Sequence, residues 1–281
     1  MRAWVARHRF ATFVLLAFGW SWLAWVPLVM GRGNVPLVII GGLGPLLAAG
    51  AVLALTGESL RPWWRTIVRW RVSPIYYAVA LGLPVAIYLV IDVVLLLIGQ
   101  PVDWSLLGTR LPAYLSTFGF VAVLGGGLEE PGWRGYALPL LQHRYSPLTA
   151  TAVLGLVWGL WHVPLYGPLG FVVPFVLAFF YTWLYNVTGS VLLCILLHAS
   201  FTPAQDHLLL IPVGLMPTGG QLTTTDAVVL ATYVTFAALL VLLTRGRLGT
   251  RSRPGEPGPT AAVEPTGQLT VPKLRERRTG S

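Results

Sequence analysis

Long apolar stretches dominate this chain. A membrane-spanning helix needs about 20 mainly apolar residues. Soluble domains carry about 25% charged residues, whereas only 10% of these 281 residues are charged and 55% are hydrophobic. The sequence therefore predicts an all-α, polytopic transmembrane helical bundle of about eight spans. The predicted spans are 10–30, 34–56, 75–99, 112–130, 147–166, 168–187, 189–213 and 225–244.

The arginines lie in alternate predicted loops, and this sets the expected orientation. They cluster before the first span, between the second and third, between the fourth and fifth, and after the eighth. Loops rich in Arg stay on the cytoplasmic side of a membrane. We therefore expect an integral protein of the plasma (inner) membrane with both termini in the cytoplasm. The net charge of +9 follows from this topology, so the expected partner is the lipid bilayer and no nucleic acid.

Two regions differ in composition from the predicted spans. Residues 1–249 form the predicted transmembrane domain, and residues 250–281 are rich in Pro, Gly, Thr, Arg and Glu without apolar periodicity. This composition predicts a disordered, basic cytoplasmic tail. Between the second and third spans, Trp63, Trp64 and Trp70 alternate with arginines. Such an interleaving predicts an interfacial amphipathic segment that anchors the chain at the membrane surface.

Two adjacent glutamates, Glu129 and Glu130, end the fourth predicted span. A carboxylate in hydrocarbon is costly unless it is paired, hydrated or bound, so it indicates a functional site. Glu130 and Arg134 are four residues apart, a spacing that lets them pair on one helix face. Pro131 and three preceding glycines predict a helix break at 129–130, with Pro131 starting a short helix. A structural ion pair explains Glu130 but leaves Glu129 unexplained.

Two histidines, His162 and His198, lie in runs that otherwise contain few polar side chains. Either one alone is best explained as a hydrogen-bond bridge between helices. Together with the two glutamates they suggest another role, because Glu and His are both metal ligands and general bases. We therefore expect the helices that carry them to converge, so that the two histidines approach each other.

Three short motifs stand in order along the chain. They are Glu129-Glu130-x-x-x-Arg134-Gly135, then Trp158-x-x-x-His162, and finally His198-Ala199. In order, spacing and multi-span setting they resemble the CPBP family of intramembrane proteases, which includes CAAX prenyl endopeptidases and bacteriocin-processing relatives. The resemblance covers about residues 115–205, the expected protease core.

The resemblance implies a role for each motif. Glu129 and His162 would activate water, and His198 would bind the oxyanion or a metal. Two positions depart from the family pattern. Thr202 stands four residues after His198, where the family has Asn, and its hydroxyl supplies one hydrogen bond of shorter reach. Trp158 stands where the family often has Phe, a difference that we expect to change little.

The implied activity is that of a CAAX-type intramembrane endopeptidase acting on a membrane-associated protein or peptide. Glu130, Arg134 and Thr202 would support the catalytic side chains. A zinc ion would require three protein ligands and an open position, which Glu129, His162 and His198 could supply. A metal-free glutamate mechanism fits the same residues, and both alternatives stay open.

Two readings without proteolysis also stay open. Helices broken around charges at the middle of the membrane occur in transporters, where two repeats carry corresponding breaks. No second Glu-Glu pair occurs in this chain, which disfavours that reading. The Thr202 departure keeps open the alternative of a chaperone-like member of the same fold that binds peptides without cutting them. The sequence contains no G-x-S-x-G motif and no phosphate-binding glycine loop.

Overall fold

The computed structural model describes residues 2–211 and 223–250, and all regular secondary structure in that part of the chain is helical. Thirteen α-helical elements and three short 3-10 or π turns are present in the described residues. The α-helices are α1 Arg2–Arg7, α2 Arg9–Val29, α3 Val35–Gly42, α4 Gly44–Thr56, α5 Leu60–Ile67, α6 Pro74–Leu97, α7 Leu106–Val123, α8 Glu130–Gly132, α9 Leu138–Gln142, α10 Pro147–Tyr166, α11 Val172–Thr188, α12 Val191–His207 and α13 Thr224–Leu243.

The predicted fold class is confirmed, because a helix occupies each of the eight predicted spans. Six helical stretches are long and apolar enough to cross a membrane. The other two spans are α11 and α12, with 17 residues each. At 1.5 Å per residue each is about 26 Å long, the lower end of the spanning range. The end of the seventh predicted span and residues 251–281 of the predicted tail lie outside the described residues.

Helix starts follow from local sequence. Asn34 precedes α3 and its side chain accepts a hydrogen bond from the backbone N–H of Leu37. Thr223 and Asp226 form a reciprocal capping box at the start of α13. Ser146 caps α10 and Ser190 caps α12, each by accepting a hydrogen bond from a backbone N–H group three residues later. These caps satisfy donors that have no partner inside a helix.

Helix α12 lies in the middle of the bundle, where it packs against α6, α7 and α11. On the other side, α2 packs along α4 and α10. Buried aromatic rings join these two halves. The ring centroids of Trp25 and Trp161 are 4.6 Å apart, those of Trp133 and Trp161 are 5.7 Å apart, and Phe13 meets Trp133 edge-on at 5.3 Å.

The backbone is irregular between α7 and α9. Gly125 leaves the helix with an extended conformation, and residues Gly126–Glu129 form one 3-10 turn before α8. A π turn at Trp133–Ala137 then leads into α9. We call Gly126–Ala137 the broken segment. The break lies at Gly125 and not at 129–130, so its predicted place is wrong. Pro131 lies in a first helical turn, where its missing N–H costs nothing.

Candidate active site

The second glutamate, Glu130, connects two of the predicted site residues. The Nη1 atom of Arg134 lies 3.1 Å from both oxygens of the Glu130 carboxylate, which confirms the predicted pair. The Nδ1 atom of His198, on α12, lies 2.8 Å from Oε1 of the same carboxylate. Glu130 and Arg134 are both fully buried, so each needs the other for its charge to be compensated.

The first glutamate, Glu129, has a different partner. The indole Nε1–H of Trp158, on α10, donates a hydrogen bond of 2.9 Å to Oε2 of Glu129. The other oxygen, Oε1, has no hydrogen-bond partner among the described residues and is not fully enclosed. One oxygen of Glu129 is therefore held in place and the other is free to contact water. Phe at position 158 could not make this contact, because it has no N–H to donate; the effect of the difference on activity stays a prediction.

The backbone of α10 fixes the ring of His162. Its Nδ1 atom lies 2.9 Å from the carbonyl oxygen of Trp158, one turn earlier. Because a carbonyl oxygen only accepts, Nδ1 carries the proton in this hydrogen bond and Nε2 is the free nitrogen. The ring also packs edge-on against Trp161 and stacks on Tyr166. These contacts restrict the direction in which Nε2 points.

Two aromatic rings enclose Arg134. Its guanidinium carbon lies 4.0 Å from the ring centroid of Trp158 and 4.3 Å from that of Tyr181, on α11. Its Nε and Nη2 atoms are buried without a hydrogen-bond partner among the described residues. Cation–π attraction is worth about 2 kcal/mol in a desolvated site, so the rings offset part of the missing hydrogen bonds. Trp158 therefore contacts Glu129 through its edge and Arg134 through its face.

The two histidines converge on Trp158. Its ring centroid is 5.5 Å from that of His162 and 5.9 Å from that of His198. The structure thus brings both histidines and both glutamates to one site, as the sequence predicted. Gly126 lies against the His198 ring, since a Cβ atom built at this glycine would collide with Nε2. The first glycine of the broken segment is therefore required by the close approach of α12.

The zinc ligand set was tested on the same geometry. In both histidines the Nδ1 side bonds an oxygen, which is the arrangement found behind metal-ligating imidazoles. However, no group of three His, Cys, Asp or Glu side chains within residues 2–211 and 223–250 is arranged to hold a metal ion. Such a group is not formed by the predicted ligands Glu129, His162 and His198. Zinc binding therefore stays a prediction.

Thr202 lies one turn after His198 on α12 and is half-buried. Two contributors to the site were not predicted from the sequence, Trp158 as a donor and Tyr181 as a stacking partner. The first could have been found, because Trp158 lies four residues before His162 and so faces the same side of α10. Nothing in the sequence of α11 distinguishes Tyr181 from its aromatic neighbours.

Comparison with known proteins points to the same part of the chain. Residues 111–202 match the family described as Type II CAAX prenyl endopeptidase Rce1-like. A stretch of 46 residues is 50% identical to CAAX prenyl protease 2 of Methanococcus maripaludis. That stretch covers 16% of this chain and 17% of the relative. The family match includes the broken segment, α10, α11 and most of α12, which are the elements that carry the site.

Proposed function

We propose that this chain, whose residues 111–202 match the Rce1-like CAAX prenyl endopeptidase family, is an intramembrane endopeptidase. Its substrate would be a membrane-associated protein or peptide, of the CAAX type that the relative's name indicates. The observation that carries the proposal is the unequal pairing of the two glutamates. Glu130 is committed to Arg134 and His198, whereas Glu129 keeps one oxygen without a partner.

In this mechanism Glu129 is the general base. Its free Oε1 takes a proton from a water molecule, and the water oxygen attacks the carbonyl carbon of the scissile peptide bond. The proton then passes from Glu129 to the leaving nitrogen as the C–N bond breaks, which gives a carboxylic acid and an amine and leaves Glu129 as the carboxylate. A positioned general acid–base contributes about 10²- to 10⁴-fold to the rate. The free Nε2 of His162 would hold the same water in place.

His198 would stabilise the oxyanion of the tetrahedral intermediate. Its Nδ1 faces the Glu130 carboxylate at 2.8 Å, and a carboxylate in this position fixes the orientation of the imidazole ring. An N–H at Nε2 of the oriented ring would donate to the developing negative charge. Glu130 and Arg134 would act as positioning residues, and the hydroxyl of Thr202 would add a second donor. A low-dielectric site strengthens each of these interactions.

The orientation of the protein is a further part of the proposal. Arginine-rich loops on one side support placing both termini in the cytoplasm. Reporter fusions after Arg71 and after Arg245 should then both report a cytoplasmic location. Fusions that report opposite sides would contradict this orientation.

The proposed activity can be tested in cells. Membrane proteomes of cells with the wild-type chain and with Glu129→Gln should differ by the loss of specific cleavage products in the variant. A matched control is Glu58→Gln, which removes a carboxylate that pairs with Arg9 outside the site. Cleavage products that persist in Glu129→Gln would favour the peptide-binding alternative without proteolysis.

A further inference from the structure

A basic pocket lies between α5 and α6, outside the site described above. It has a volume of about 360 Å³, and all of its lining residues are exposed. We call it the arginine pocket. It is lined by Arg65, Val68, Arg69, Trp70 and Arg71.

The charges of this pocket are not neutralised within the described residues. The ion pairs found there are Arg9–Glu58, Arg134–Glu130 and His198–Glu130, and none involves an arginine of the pocket. Three like charges around one cavity produce a positive potential that concentrates anions. Arginine is also the side chain best suited to hold a phosphate group, because its planar fork matches the phosphate oxygens.

The flanking aromatic residues place the pocket at the membrane surface. The exposed fractions of Trp64 and Trp70 are 56% and 62%, and the guanidinium of Arg71 lies 5.1 Å from the Trp70 ring centroid. Helix α5 has no buried residue. Exposed tryptophans beside arginines are typical of the headgroup level of a bilayer. A phosphate that reaches the arginine pocket there is most directly supplied by a phospholipid.

Hydrogen bonds tie the rim of the pocket to the elements that carry the catalytic side chains. The hydroxyl of Ser190, which caps α12, donates to the carbonyl oxygen of Arg69 at 2.6 Å. The indole N–H of Trp63, on α5, donates to the carbonyl oxygen of Pro131 in the broken segment at 2.9 Å. A Cβ atom at Gly135 would lie 3.1 Å from the same indole nitrogen, so Trp63 packs directly on that segment.

We propose that the arginine pocket binds the phosphate of an anionic phospholipid headgroup, and that its occupancy supports the catalytic geometry through Ser190 and Trp63. The second half rests on the proposed protease activity. The lipid would fix residues 68–71 between α5 and α6, and the two hydrogen bonds would transmit this order to α12 and to the broken segment. Peptide cleavage should therefore depend on anionic lipid at this face of the membrane.

Binding is tested on the full chain in bilayer discs of phosphatidylcholine mixed with phosphatidylglycerol. The pocket variant is Arg65→Gln/Arg69→Gln/Arg71→Gln. The matched control removes three exposed arginines elsewhere, as Arg144→Gln/Arg245→Gln/Arg247→Gln. Native mass spectrometry should find phosphatidylglycerol retained by the wild type and by the control. Retention should fall about 100-fold in the pocket variant, since three arginines at about 1 kcal/mol each near an anionic surface contribute about 3 kcal/mol together. An equal loss in both variants would overturn the proposal.

A second arm separates lipid from free phosphate. The difference in tryptophan fluorescence between the wild type and Trp70→Phe is followed in pure phosphatidylcholine discs while inorganic phosphate is added, and in discs that contain phosphatidylglycerol. A change with phosphatidylglycerol but not with inorganic phosphate supports the lipid site. A saturable change with inorganic phosphate that displaces the lipid would assign the pocket to soluble anions and overturn the assignment to lipid.

The link between lipid binding and cleavage is tested with Trp63→Phe, which keeps an aromatic ring but removes the donor to the carbonyl oxygen of Pro131. This variant should retain phosphatidylglycerol but lose the increase in cleavage that the lipid causes in the wild type. An unchanged increase in Trp63→Phe would overturn the proposed route. If the wild type cleaves nothing in either bilayer, the protease proposal fails, while lipid retention still decides the binding site.

Discussion

Helix α13 and the broken segment with its neighbours lie in the same bundle but are built differently. In the most apolar stretch of α13 only 11% of the residues are buried, compared with 44% in the corresponding stretch of α10. Helix α13 is regular from its capping box to its end and has no charged residue after Asp226. The broken segment contains 3-10, α and π turns within twelve residues and carries a buried ion pair.

This difference shows where a membrane protein can hold irregular backbone and charge. In hydrocarbon an unsatisfied backbone group costs several kcal/mol, so broken helices are tolerated only where protein or a cavity surrounds them. Here α10, α11 and α12 enclose the broken segment and supply Trp158, Tyr181 and His198 as partners. The exposed helix α13 forms part of the apolar surface around this centre. Function is therefore expected where regularity is lost.

The largest expected effect is on stability, from Arg134→Ala. This change leaves the Glu130 carboxylate buried without its cation, which costs about 3–5 kcal/mol. The lipid-facing change Leu239→Ala on α13 is the control, and it should alter stability by less than about 0.5 kcal/mol. Unfolding in detergent measures both. Similar stability losses in the two variants would contradict the proposed difference between the buried site and the exposed helix α13.

The next effect concerns Trp158→Phe. The Phe ring still stacks on Arg134, but the donor to Glu129 Oε2 is lost. A hydrogen bond to a charged group is worth about 1.5–3 kcal/mol, so kcat should fall about 10- to 100-fold while KM is retained. Steady-state cleavage of one substrate measures the two constants. An unchanged kcat would show that Glu129 does not need this donor.

The smallest effect is expected where α13 does contain a polar contact. The hydroxyl of Tyr233 donates to the hydroxyl of Tyr88 on α6 at 2.9 Å. Hydrogen bonds between membrane helices contribute about 0.6 kcal/mol on average. The Tyr233 hydroxyl also accepts from the Gln205 side chain on α12 at 3.3 Å. Tyr233→Phe removes both hydrogen bonds, so it should lower stability by about 1.2 kcal/mol and leave cleavage unchanged. A loss of cleavage would mean that α13 takes part in the site.

The fold could be predicted because hydrocarbon permits few alternatives to apolar helices of about 20 residues. The pairing of Glu130 with Arg134 followed from helix periodicity in the same way. The position of the break did not follow, because three glycines and one proline weaken several adjacent residues equally. Packing decided it: the close approach of His198 requires Gly126, and this contact is 72 residues away in sequence.

The site was predictable as a set of residues but not as a set of hydrogen bonds. The ion-pair partner of Glu130 is local, whereas its second partner, His198, comes from another helix. The partner of Glu129 was also missed, because a tryptophan in an apolar helix is expected to contribute packing before hydrogen bonding. The pocket beside α5 was predicted only as an anchor. The sequence did not indicate that the backbone of Arg69 is bonded to Ser190 at the start of α12.

The neighbouring carboxylates of Glu129 and Glu130 are proposed to have different roles, catalytic and structural, and one paired measurement tests this difference. Glu129→Gln and Glu130→Gln are purified, reconstituted in one bilayer, and compared with the wild type for melting temperature and for cleavage of one substrate. The account predicts that Glu129→Gln keeps the wild-type melting temperature and loses cleavage by about 10²- to 10⁴-fold. Glu130→Gln should melt earlier, because Arg134 loses its buried counter-charge. Full cleavage by Glu129→Gln would contradict the account.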